Sequence, residues 1–437
     1  MKGLILVYAI AAFGSVGALV SPIIGLFVYV GFAVLRPQFI WGWAGDFEGI
    51  SFYVGIATLI GWVVHGCGSL KIGAGRSIVM ALIAVAIWTV ISATQAFNTT
   101  VAYGEIYPMA KMVVPFLIGV TLIDSLQRSR ALLWTIVLAQ GYVSFEMNLE
   151  YLLRGNNVAG DGFGGMDNNC FGVSLVTTIG PALVLALGAK RWWEKALAAA
   201  CGALILHATL LTFSRGAMVG LLAVGATAFA VMPKRPKYVA ALVVVALVAV
   251  SLTGPQLAAR YATTTAGDEG RDSSAESRID LWRDCWNIGL DNPILGIGPG
   301  NFHVVASSIG WTEGKQAHST WMQALAETGF PGVLALLMFF LIAAFKLWPM
   351  ARARQTDQNR DQVVMASGII MSIVGFIVTA QFVSLAGLEI PYYLTMIGVV
   401  ILKQSEIAAA AAAAMHPTAQ GPRALMRGPA MARQVPH

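Results

Sequence analysis

Stretch after stretch of this chain is apolar over the length of a membrane crossing, and that repetition leaves few folds open. About 17 to 25 apolar residues in helical form cross a hydrocarbon core. In lipid, backbone N–H and C=O groups must be paired inside the segment, which a helix achieves. With 57% hydrophobic and 11% charged residues and a mean hydropathy of +0.71, the 437-residue chain lies well outside soluble globular composition. The expected fold is all-α, a polytopic transmembrane helical bundle.

Expected spans cover residues 3–35 (broken at Pro22), 50–66, 77–95, 108–123, 131–148, 168–188, 196–213, 216–232, 238–253, 321–347, 362–385 and 390–402. A single kinked crossing over 3–35 makes about 12 spans and a hairpin there makes 13; twelve is the better-balanced count. Four regions follow: N-terminal transmembrane helices over 1–253, one long extracytoplasmic loop with short helices over 254–320, C-terminal transmembrane helices over 321–404, and a tail over 405–437. The tail is expected to be disordered and cytoplasmic, since the run Ala408 to Ala414 leads into Pro, Gly, Arg and Met without periodicity. The first apolar run has no clear small-residue cleavage pattern and is expected to act as the first anchor.

Lys and Arg in short loops resist translocation and so report orientation. Every second loop is basic: Lys71 and Arg76; Arg128 and Arg130; Lys190, Arg191 and Lys195; Lys234, Arg235 and Lys237; Lys346, Arg352, Arg354 and Arg360. That side is expected to be cytoplasmic, leaving the 254–320 loop on the far side. The cytoplasmic loops account for much of the net charge of +6, so it does not indicate nucleic acid. Outward-facing Arg36, Arg154, Arg215, Arg278, Arg283 and Lys315 oppose the usual bias, and an anionic ligand is one reason for them. Cys67, Cys170, Cys201 and Cys285 are scattered, and no HExxH pair or Cys/His cluster occurs. Neither a metal nor a cofactor is expected.

The long polar stretch from Ser273 to Gly332 gathers the chemistry-bearing residues. Ser273 and Glu276 can form a capping box ahead of Ile279, Trp282 and Trp286, which predicts an amphipathic helix over about 275–290 whose apolar stripe rests on the bundle. Arg278 and Arg283 would then approach a polar cleft, or stay as ordinary surface charges. Residues 291–302 are rich in turn formers, and their glycines lack the Gly-Lys-Ser/Thr ending of a phosphate loop. His318 precedes a helix that Thr320 and Gln323 could cap, ahead of a break at Gly329-Phe330-Pro331-Gly332. A histidine there can serve as a general base near neutral pH, although a lone histidine is more often structural. Arg215, at the outer end of two closely connected spans, either snorkels or faces a charged partner. Paired with Arg278 it makes a plausible pyrophosphate clamp, because guanidinium holds phosphate oxygens in a planar fork.

Phe213-Ser214-Arg215-Gly216-Ala217, Ser277-Arg278 with Trp282, Asn292-Pro293, Gly296-Ile297-Gly298, Ala317-His318, and Glu327-Thr328-Gly329 with Gly332 together resemble, in order and spacing, the core of the O-antigen ligase and O-antigen polymerase superfamily. Arg36-Pro37-Gln38, Trp41-Gly42 and Asp46-Phe47 also resemble the outer loop of the O-glycosylation ligases associated with exosortase systems. The resemblance implies a metal-independent, inverting glycosyltransferase of the bacterial cytoplasmic membrane, with its active site on the extracytoplasmic face. The donor would be a glycan on undecaprenyl pyrophosphate, and the acceptor a lipid, a protein or another glycan. By the same resemblance, Arg215 and Arg278 hold the pyrophosphate and His318 takes the acceptor proton. Arg36, Arg154, Arg283, Ser319 and Glu327 are supporting candidates, Ser319 standing where many relatives carry Asn. A polymerase, or a lipid-linked sugar transporter with the arginines lining its path, are the other readings.

Overall fold

The computed structural model describes residues 2–41, 49–232, 273–385 and 387–415, with isolated positions between 236 and 251. Its helices are α1 (Lys2–Val20), α2 (Pro22–Leu35), α3 (Pro37–Ile40), α4 (Ile50–Val64), α5 (Arg76–Ala93), α6 (Thr99–Gly104), α7 (Ile106–Leu122), α8 (Leu126–Arg154) and α9 (Val158–Asp161). The series continues with α10 (Asn168–Gly188), α11 (Trp192–Leu211), α12 (Arg215–Val231), α13 (Ser273–Asp291), α14 (Phe302–Val305), α15 (Thr320–Ala351), α16 (Arg360–Thr379) and α17 (Ile390–Met415). Among the described residues, nine helices are long and apolar enough to cross a membrane, and α4 and α12 are shorter apolar helices. The chain is therefore an all-α polytopic membrane protein. The span expected over 238–253 and the first part of the long loop, 254–272, lie largely outside the described residues.

The segment 3–35 does not make one kinked crossing. Pro22 starts a new helix, and α2 folds back on α1 as an antiparallel hairpin: a Cβ on Gly14 would sit 2.7 Å from Val28, one on Gly17 2.8 Å from Ile24, and one on Gly3 2.9 Å from Trp41. Glycine at 14 and 17 is what lets the two backbones approach this closely. The chain start thus lies at the same end as Arg36.

At the other terminus α17 continues to Met415, so the alanine run extends a helix instead of beginning a disordered tail. Alanine has the highest helix propensity, and the preceding apolar turns supply the nucleus. Residues 416–437 lie outside the described residues.

The centre of the bundle is the contact of α10 with α16, whose spans are 72% and 78% buried, against 22% for α1. Ser372 Oγ donates to Thr177 O at 2.5 Å across this contact, a polar tie suited to helices without a hydrophobic drive toward each other. In α11, His207 bonds the Asn148 amide oxygen of α8 and so ties the two helices together.

Tertiary bonds gather the basic loops at one end. Arg130 pairs with Glu194 at 3.3 Å, Lys346 Nζ donates to Ala74 O at 2.7 Å, and Ser69 N donates to Thr121 O at 3.0 Å. The opposite end is sewn together by Phe97 N to Ile297 O at 2.8 Å and Asn98 N to Asn301 Oδ1 at 2.7 Å. His318 lies at that second end.

Candidate functional site

The scaffold of the site is a break in α15. Gly329 has φ 68° and ψ −174°, and Pro331 has no N–H to give the Glu327 carbonyl. The carbonyls freed by the break are taken up by the turn-rich segment: Ile297 N donates to Ala326 O and Gly298 N to Glu327 O, both at 2.9 Å, while Phe330 N turns to Pro293 O at 2.9 Å. Ser92 Oγ adds a bond to Glu327 O at 3.1 Å. A Cβ on Gly329 would stand 2.4 Å from Ile294 O, so the exchange requires glycine. The Glu327 side chain is buried, with Oε1 accepting from Phe302 N at 3.2 Å and Gln323 Nε2 at 3.0 Å. It ties the turn segment to α15 from inside.

The N-cap of α15 is Ser319, buried, its oxygen accepting from Met322 N at 3.3 Å. Thr320, expected to cap, sends its hydroxyl to Val383 O at 2.8 Å instead. Serine and asparagine are about equally good N-caps, which accounts for Ser319 at this position.

One residue earlier, half-buried His318 holds φ 52°. Burial first, then the Arg278 guanidinium and the Lys315 ammonium, hold its pKa below the usual imidazole value, and the Asp167 carboxylate opposes them. The ring is neutral at neutral pH and able to accept a proton.

Arg278 reaches this position through α13. Trp282 Nε1 donates to Ala317 O at 3.1 Å, and its ring packs on Phe382 at 6.4 Å, pinning the turn that follows Arg278. The buried face of α13 is centred on Leu281 and Cys285, packed with Phe302, Ala317 and Ala326. Of the expected stripe only Trp282 faces the interior, while Ile279 is 53% and Trp286 45% exposed. The small Phe302 and Ala317 cluster, invisible to periodicity, selects the face.

Arg215 is the first residue of α12. The turn before it is clamped by the start of α10: Asn168 Nδ2 donates to Thr212 O and Ser214 Oγ to Asn169 Oδ1, both at 2.8 Å. Ser214 caps α12 by accepting from Ala217 N at 3.3 Å, and Gly216 lies against Phe382, the ring that meets Trp282. Packing through Phe382 and the start of α10 thus brings the Arg215 turn near the α13 turn of Arg278, and Asp167 and Arg278 both act electrostatically on His318.

Arg36 joins the same end as a brace. Its guanidinium donates to Gly164 O, three residues before Asp167, and to Gly387 O at 3.1 Å. Arg154 pairs with Glu150 at 2.5 Å and Arg283 with Asp280 at 3.2 Å, both exposed and each on its own helix, so neither is brought to the group.

Four non-glycine residues among those described have positive φ, and three of them, Arg36, Phe213 and His318, fall at this site. Each left-handed residue costs about 1–2 kcal/mol. Such strain persists where surrounding contacts over-determine it, which marks functional positions. Sequence reasoning missed Asp167, Asn168 and Asn169; the available signal was a polar Asp-Asn-Asn tract directly ahead of an apolar run, the composition of a helix N-terminus.

Fold and site thus define an all-α polytopic membrane protein with a half-buried histidine and arginines at the end opposite its basic loops. Residues 200–337 match the family model described as O-antigen ligase, which bears out the superfamily resemblance of the motifs. The match takes in Arg215, Arg278, His318, Ser319 and Glu327, while Arg36 and Asp167 lie outside it. No curated protein matches the chain.

Proposed function

We propose that the protein is a metal-independent, inverting glycosyltransferase of the bacterial cytoplasmic membrane, acting on the extracytoplasmic face. It moves a glycan from undecaprenyl pyrophosphate to an acceptor hydroxyl on a lipid, a protein or another glycan. The observation that carries this is a half-buried His318, held at φ 52° and within electrostatic reach of Arg278 and Asp167. The His318 ring nitrogen takes the hydroxyl proton as the oxygen attacks the anomeric carbon. The bond from that carbon to the pyrophosphate breaks, and its electron pair leaves on the pyrophosphate oxygen. Arg215 and Arg278 stabilise the negative charge growing there, where positioned cationic donors lower a barrier most. The imidazolium returns its proton to solvent. Asp167 is a positioning residue that balances the cations around the ring.

The test uses purified protein, glycan-loaded undecaprenyl pyrophosphate and separate lipid, peptide and glycan acceptors in the presence of chelator. His318→Ala is expected to lower transfer by about 10²- to 10⁴-fold, the range of a lost general base. Unchanged transfer by that variant removes the mechanism, and donor crossing the bilayer without any transfer replaces the enzyme with a transporter. Extension of the glycan acceptor alone marks a polymerase.

A further inference from the structure

Arg278 and Lys315 bear on the His318 ring, and the turn carrying Arg215 is clamped beside Asp167. Starting at Thr320, two residues after His318, a cavity of about 180 Å³ opens among α5, α7, α15 and α17. It is lined by the polar side chains of Thr320, Gln323, Glu105 and Glu327 and by apolar residues such as Leu82 and Leu336. Among the described residues, no lysine or arginine lines it. The carbon chain of Glu105 comes within 2.7 Å of where a Cβ on Gly300 would stand, and Phe302 N, two residues on, donates to Glu327 Oε1 at 3.2 Å, so both acids adjoin one loop.

Gln323 carries the signal of an absent partner. Its Nε2 is spent on Glu327, while its Oε1 is buried with no hydrogen-bond partner. A buried carbonyl without a donor costs about 1–3 kcal/mol, which an incoming O–H would recover.

Resting on the glycosyl-transfer reading, we infer that this cavity seats the acceptor and that it takes an uncharged, hydroxyl-bearing group in preference to a phosphorylated one. Hydroxyls donate to Gln323 Oε1 and to the acids, and the apolar lining takes the C–H face of a sugar or the first carbons of a lipid. A phosphate would meet the Glu105 carboxylate across a low-dielectric gap and lose its hydration without a cation to replace it. The donor pyrophosphate is turned away from the same wall toward the arginines. His318, two residues before Thr320 of the cavity lining, then takes the proton of the acceptor hydroxyl as its oxygen attacks the face of the anomeric carbon opposite the pyrophosphate.

The experiment is photolabelling of the full chain in nanodiscs, without donor, by a neutral diazirine-bearing alkyl glycoside and by its 6-phosphorylated counterpart. The neutral probe is expected to label peptides containing residues 82–89, 105–113 and 320–336, and the phosphorylated probe to label them at least about tenfold less. Gln323→Leu should lower neutral labelling about tenfold and raise the acceptor KM in transfer by a similar factor, with donor affinity unchanged. Glu105→Lys should admit the phosphorylated probe. Labelling elsewhere, or equal labelling by both probes, overturns the acceptor seat. Because labelling needs no donor, His318→Ala with full transfer sinks the reaction mechanism alone, and His318-dependent transfer with labelling outside the cavity sinks the seat alone.

Discussion

Two neighbouring regions of the same end are built on opposite principles. The interlock of residues 292–300 with Ala326 to Gly332 is closed: its backbone groups are paired with one another and a glycine is forced by a 2.4 Å approach. The face made by His318, Arg278 and the Arg215 turn is half-open, strained at Phe213 and His318, and rich in cationic side chains. The comparison separates motif residues by role. Glu327, Gly329 and Pro331 keep a shape, and the chemistry proposed for the protein falls to residues before Thr320.

The largest effect should come from breaking the closed region. Gly329→Ala places a side chain on a left-handed residue and into Ile294 O, so a loss of about 3 kcal/mol or more is expected, seen as a collapsed yield of monodisperse protein and a lower melting temperature. A variant that melts like the wild type would mean the two segments are not interlocked. In the open region the signs should part: His318→Gly abolishes the base, with transfer down about 10²- to 10⁴-fold. It also relieves the φ 52° strain, so stability should hold or rise by about 1 kcal/mol. Thermal melting alongside the transfer assay checks both.

A smaller effect is expected at the brace. Arg36→Lys keeps the charge but not the planar fork that reaches Gly164 O and Gly387 O, so about 1–3 kcal/mol of stability and a corresponding part of the activity should be lost. The smallest effect sharpens the electrostatics. His318 faces Arg278, Lys315 and Asp167; removing the Lys315 charge lets the imidazolium form more easily and raises the folded pKa. In the proposed mechanism transfer needs the neutral ring and falls as pH drops through that pKa, so Lys315→Ala should move the acid limb of kcat/KM to higher pH. Asp167→Asn should move it to lower pH. Shifts in the reverse directions would show that these charges do not act on the base.

Much of the candidate site was legible because its cations stand out in a chain that is 11% charged. Arg215, Arg278 and His318 sit where an apolar background makes each polar residue expensive, and cost draws attention. Arg154 and Arg283 stood out for the same reason, yet each is answered by a carboxylate one turn away. The inward face of α13 was misread because Ile279 and Trp286 satisfy helical spacing as well as Leu281 and Cys285 do; Phe302 and Ala317, from another segment, break the tie.

Length and polarity along the chain are local properties, and they were enough to determine an all-α membrane bundle and the polar stretch that carries its motifs. Whether Pro22 bends one crossing or turns two helices into a hairpin depends on Gly14 and Gly17 meeting Val28 and Ile24, a contact that exists only once both helices are formed. The same holds for Asp167 beside His318 and for Glu105 beside Glu327. Charges separated by many residues of apolar helix acquire a common field only when packing brings them within a few ångströms, and no pattern along the chain encodes that distance.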